Sequence, residues 1–176
     1  LLRFQRAEGF EDCAKPQYFF SRDKKEAMNN TLIWVFGIML ALVMGILPFG
    51  YFSGMAQALN VPDPLGIPML IGFIVLVAVI SFLASLGSGT LAQSSNCGEV
   101  KSMSRVASNA GIGMAIEVVF VCIGLFVPML GTITSDYFLA GSAVDKVMAK
   151  QVDVGFWAAW GAMYAIIVSA TGSATC

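Results

Sequence analysis

The sequence predicts an all-α membrane protein: a four-transmembrane-helix antiparallel bundle with a short polar N-terminal segment. Three observations predict it. Apolar runs cover residues 31–52, 65–86, 110–133 and 155–176, each close to the ~20 residues that a helix rising ~1.5 Å per residue needs to cross ~30 Å of hydrocarbon. The 176 residues are 57% hydrophobic and 12% charged, so what lies outside the runs is too little to enclose a core in water. In hydrocarbon the backbone must satisfy its own hydrogen bonds, which makes runs of this length helical.

Residues 1–30 form the polar segment and residues 31–176 a single membrane domain. The segment carries Arg3, Arg6, Lys15, Arg22, Lys24 and Lys25, of which Lys24 and Lys25 are placed to anchor on lipid phosphates. Its Phe4, Phe10, Tyr18, Phe19 and Phe20 predict docking on a partner, because so short a segment cannot bury them alone. Asn29-Asn30-Thr31 reads as a glycosylation sequon, but it abuts a span on the side that charge assigns to the cytoplasm, so no glycan is expected.

The first span, 31–52, has interfacial aromatics in Trp34 and Tyr51. The connection 54–64 lacks Lys and Arg, and its Asn60-Val61-Pro62-Asp63-Pro64 predicts a tight turn. After the second span, 65–86, the connection 87–109 carries Lys101 and Arg105. After the third, 110–133, the connection 134–154 carries Lys146 and Lys150. There Val144, Val147 and Met148 predict an amphipathic surface helix from Ser142. The fourth span, 155–176, opens with Trp157 and Trp160 as anchors. Pro48 and Pro128 each mark a kink or a helix end. The excess of Lys and Arg places both termini and residues 87–109 on the cytoplasmic side.

Small residues recur every four positions: Gly37, Ala41 and Gly45; Ser81, Ser85 and Gly89; Ala107, Gly111 and Ala115; and Gly161, Ala165, Ser169 and Ser173. Such rows let helix backbones approach closely, so these are the expected packing faces, and Gly111→Leu is expected to force two helices apart. Glu117 is the one ionisable side chain clearly inside a predicted span. It is the candidate intramembrane polar site, expected to be protonated helix glue hydrogen-bonded to a Ser, Thr or Asn, or else a proton or ion relay. As glue, it should tolerate Gln and be harmed by Leu, which would strand the partner.

The chain has no histidine, and Cys13, Cys97, Cys122 and Cys176 form no CxxC pair. His-based metal sites and haem, and any Ser/His or Cys/His nucleophile, are therefore excluded, and neither enzymatic activity nor a cofactor is expected. Cys122 reads as a packing residue, while Cys13 and Cys97 fall on one side, where a disulfide is open to them. A net charge of -1 gives a nucleic-acid surface no support, so no nucleic-acid partner is expected.

The stretch from Gly87 to Lys101 reads as a structured polar loop that includes Gln93-Ser94-Ser95-Asn96-Cys97-Gly98-Glu99-Val100-Lys101. This Q-S-x-x-C-G-x-V-K text, leading into a span rich in small residues, resembles small membrane proteins of large icosahedral double-stranded DNA viruses, particularly the algal viruses, over residues 87–130. The resemblance implies a minor capsid protein tying the shell to the virion's internal membrane, with capsid proteins and the lipid bilayer as partners and no catalytic residues. The residues themselves predict a structural protein organising an assembly at a membrane. The alternatives are a small channel or transporter built on Glu117, and an accessory subunit of a cellular membrane complex.

Overall fold

The computed structural model describes residues 16–127 and 146–176, with the backbone course alone for residues 16–29 and 146. Four helices account for nearly all of it: α1 (Pro16–Leu59), α2 (Ile67–Cys97), α3 (Met103–Phe126) and α4 (Lys146–Ser173). Each contains a segment long and apolar enough to cross a membrane: Asn30–Leu59, Ile67–Cys97, Met103–Phe126 and Val147–Ser173. The all-α four-helix architecture is the one the sequence predicts, but every helix is displaced from, or longer than, its apolar run.

The end of the polar N-terminal segment and the start of the membrane domain share one helix, since α1 runs from Pro16 through residue 30. Its 44 residues rise roughly 66 Å, well beyond a bilayer's ~30 Å core. Lys24 and Lys25 lie on this extension, and their side chains are outside the described residues. Pro48 is buried inside α1 without ending it. The helix stops instead at Asn60, whose φ of 55° is a left-handed conformation that asparagine tolerates. The Val61 N–H then reaches back to the Ala56 carbonyl at 3.1 Å, the bond expected when a left-handed residue ends a helix. Asp63 holds the short turn by accepting from the Leu65 N–H at 2.9 Å, and Pro68 falls where a helix start tolerates it.

The polar stretch from Gly87 is no loop. It continues α2 to Cys97, and Gly98, at φ 79°, ends the helix. Its hydroxyls donate within the helix, as Thr90 does to the Gly87 carbonyl and Ser95 to that of Leu91, so these side chains are bonded without leaving the helix. Ser102 caps α3, which starts seven residues before the predicted span and ends at Phe126. Val127 is extended (φ -101°, ψ 94°), as the residue before a proline must be. Of the predicted surface helix, Val147 and Met148 belong to the first turn of α4, continuous with the last span; Ser142 and Val144 lie outside the described residues.

The helices alternate in direction. At one end Arg105, opening α3, donates to the Thr175 carbonyl and hydroxyl at 3.1 and 3.0 Å, and Asn96, ending α2, donates to the Ala174 carbonyl. At the other end Gln151 of α4 donates to the Ser53 hydroxyl of α1 at 3.0 Å, and the Tyr51 hydroxyl donates to the Met69 carbonyl of α2. Tyr51 thus packs inward rather than anchoring in lipid. The α4 helix touches all three others, and 50% of its span is buried against 22% for α1, so α4 is the centre of the bundle. Leu40, Met44, Phe52, Phe73, Val121, Val154 and Ile166 contribute to the apolar core. Leu32, Val35, Met39, Leu42 and Ile46 of α1 are exposed, an apolar face suited to lipid.

Cys97 is bonded to Cys176 rather than to Cys13, which lies outside the described residues. With a sequence separation of 79, such a bond in a water-soluble chain would contribute about 4 kcal/mol. In detergent or lipid the contribution should be smaller, because spans that stay helical already restrict the unfolded ensemble. Reduction, or Cys97→Ser, is expected to lower the melting temperature in detergent and loosen the α2–α4 end. An unchanged melting curve would show that the two ends hold together without the bond.

Candidate functional site

A buried polar seam runs from the disulfide end into the middle of the bundle, where α2, α3 and α4 meet. Ser81, Ser85, Ser88 and Gln93 supply it from α2, Asn109 and Glu117 from α3, and Ser169 and Ser173 from α4; all but the half-buried Asn109 are essentially inaccessible. Asn109 donates to the Ser173 hydroxyl at 3.2 Å. Ser169 donates to the Ser85 carbonyl at 2.6 Å, crossing from α4 to α2, and Ser88 donates to the same carbonyl. Gln93 accepts from the Ser102 N–H at 3.3 Å, joining the end of α2 to the cap of α3.

Glycines make the seam narrow. A Cβ on Gly89 would lie 2.9 Å from the Ser173 hydroxyl, and one on Gly113 would lie 2.7 Å from the Ser85 hydroxyl and 2.9 Å from the Ala165 carbonyl. One turn further along α3, Glu117 lies over Gly161 of α4, where a Cβ would come within 2.6 Å of Oε2. Because α2 and α3 are antiparallel, the turn from Ser85 back to Ser81 runs beside the turn from Gly113 to Glu117, so Ser81 and Glu117 share a layer.

Neither carboxyl oxygen of Glu117 has a hydrogen-bond partner, and the same holds for the Ser81 and Ser85 hydroxyl oxygens and for Gln93 Nε2. The expected glue, a hydrogen bond from Glu117 to a neighbouring Ser, Thr or Asn, is therefore not what the packing provides. Beyond Glu117 the interior turns apolar, with Val121, Leu125, Val154 and Ala158.

A second polar group lies at the far end. Lys150 Nζ donates to the Gly124 and Leu125 carbonyls at 3.2 Å each, placing a cation where the orphan carbonyls of α3 end. Gln151 and Asp153 are buried beside it. Sequence reasoning missed these because it placed the span's start at 155; the fact that only residues 155–176 are free of charge concealed a helix beginning with Lys146. Among the described residues no three His, Cys, Asp or Glu side chains converge as a metal site would require.

Other expected positions sort by face. Gly37 and Ala41 are buried, with Gly37 against Ile166, while Gly45 meets Gly155 and Ala159, so the α1 row packs on α4. Gly161 and Ala165 are likewise interior. The row Ala107, Gly111 and Ala115 is misassigned: Ala115 is exposed and a Cβ on Gly111 would meet nothing within 4 Å. The interior face of α3 is Ala110, Gly113, Glu117, Val121 and Gly124, one register over. Trp34 is exposed near the start of its span, where an anchor belongs. Trp157 packs on Phe120, and Trp160 falls near the middle of a helix that begins at Lys146. Cys122 is a free, half-buried thiol on α3.

Searches of protein-family models, curated proteins and solved structures found no match to this chain.

Proposed function

We propose that this chain is a structural membrane protein that holds an assembly to a bilayer, its four spans serving as the anchor and the start of α1 as the arm. The observation that carries this reading is the length of α1: its apolar run begins at Thr31, after Arg22, Asp23, Lys24, Lys25 and Glu26, and residues 16–29 continue the helix for roughly 21 Å before it. A helical extension continuous with a span is suited to reach a partner beyond the bilayer surface, and its sequence offers Tyr18, Phe19, Phe20, Arg22, Lys24 and Lys25 for contact with protein and lipid headgroups.

The assembly we propose is the shell of a large icosahedral DNA virus with an internal membrane, the protein being a minor capsid component. The resemblance over residues 87–130 supports this, and so does the disulfide. The basic residues favour the Cys97–Cys176 end being cytoplasmic on insertion, yet a disulfide does not persist in the reducing cytosol. Both hold for a face made in the cytosol and later enclosed in a particle that leaves it.

Stripping lipid from purified particles with detergent tests the anchor. The full chain is expected to stay with the protein shell, and a variant lacking residues 1–29 to leave with the lipid. If both leave together, the arm holds nothing; if the chain fractionates with a host membrane complex instead, the accessory-subunit reading replaces the viral one.

A further inference from the structure

We propose that Glu117 is a proton-exchange site reached from the disulfide end of the bundle along the polar seam. This stands apart from the anchoring role and survives its failure. Three observations point to it. Polar side chains succeed one another along the three helices: Asn109 donates to Ser173, the Ser173 and Ser169 hydroxyls flank Gly89, Ser169 donates to the Ser85 main-chain carbonyl, the Ser85 hydroxyl faces Gly113, and helix geometry puts Ser81 level with Glu117. The run is one-sided, since past Glu117 the interior is Val121, Val154, Ala158 and Leu125. The run also ends on a carboxyl whose two oxygens, like the Ser81 and Ser85 hydroxyls of the seam, are fully buried and unpartnered.

A charged carboxylate at this depth is expensive, so the resting form carries its proton. Ordinary structural glue would have both oxygens bonded, because an unpaired buried polar atom forfeits stability. The hydroxyls along the seam are both donors and acceptors, and passing a proton along them requires them to turn toward one another, since Ser169 and Ser88 donate to the Ser85 main-chain carbonyl and the Ser81 and Ser85 hydroxyls bond to nothing. The charged residues nearest in the fold lie at the bundle ends. Arg105 is engaged by Thr175 at the disulfide end, while Lys150 and Asp153 sit at the level of Gly124, about two turns beyond Glu117. Glu117 therefore has no fixed counter-charge beside it among the described residues, and its proton is free to exchange with the seam.

Infrared spectroscopy on the full chain in lipid vesicles tests this, following the carbonyl stretch of the protonated carboxyl on transfer to deuterated water. A band that disappears in Glu117→Gln and shifts on deuteration is expected. Ser85→Ala and Ser169→Ala, each removing one hydroxyl, should slow that shift about tenfold, which is ~1.4 kcal/mol on the barrier. Val121→Ala, loosening the apolar side, should leave the rate unchanged. The proposal is overturned if the band is absent, if it fails to exchange, if both serine variants exchange as fast as the wild type, or if Val121→Ala accelerates exchange. The last outcome would place access on the apolar side or in general breathing of the bundle.

Discussion

Gly155→Leu should separate α1 from α4 and abolish the compact bundle. A Cβ at this position would overlap the Gly45 carbonyl oxygen, and that atom belongs to helix backbone, which cannot rotate aside as a side chain can. The only relief is to move a whole helix, and α4 is the element on which the other three pack. The cost should reach or exceed the ~3 kcal/mol at the upper end for overpacked cores, because the loss spreads along the Gly37, Ala41 and Gly45 face. Melting in detergent and cross-linking between engineered cysteines on α1 and α4 are the measurements. Gly111→Leu is the contrast: with open space beside it, it should melt like the wild type. A Gly155→Leu protein as stable as that variant would mean that the α1–α4 contact is looser than drawn.

Glu117→Leu should stabilise the bundle. Sequence reasoning expects harm, on the premise that a hydrogen-bonding partner would be stranded, but neither carboxyl oxygen has one. Replacing an unsatisfied buried polar group by an apolar one removes its desolvation penalty, on the order of 1–3 kcal/mol, less whatever the change in shape costs against Gly161. Glu117→Gln keeps the penalty and should melt close to the wild type. The stabilised Leu variant should also lose the exchangeable carboxyl band, a trade of stability for function found where a polar group is kept for its chemistry. Should Leu melt well below Gln, a partner for Glu117 must come from another subunit, and the one-chain account of the seam fails.

The same residues show which structural facts are local and which are not. Membrane class, the number of helices and their alternation were legible because a ~30 Å apolar slab acts on every run separately, and any stretch of ~20 apolar residues must respond by forming helix. The small-residue rows of α1 and α4 could be found for a related reason: Gly37, Ala41 and Gly45, and Gly161 and Ala165, recur with the helical period. That period cannot say which face turns inward, so the equally regular row at Ala107, Gly111 and Ala115 points outward while Gly113 makes the contact. Helix ends were misplaced wherever polar residues continue a helix, as from Gly87 to Cys97 and from Lys146 to Asp153, because their polar groups find partners on other helices: Ser102 for Gln93, Ser53 for Gln151, and the end of α3 for Lys150. The sequence by itself determined that this chain carries four apolar runs that form helices in a bilayer, and that Glu117 is the carboxylate inside one of those runs. Only the tertiary structure decided that Cys97 pairs with Cys176, that α4 is central, and that Glu117 ends a polar seam with nothing bonded to it. The physical reason is that hydrophobic burial is summed along one segment, whereas a disulfide, a packing face and a hydrogen-bond partner each depend on where a second segment lies.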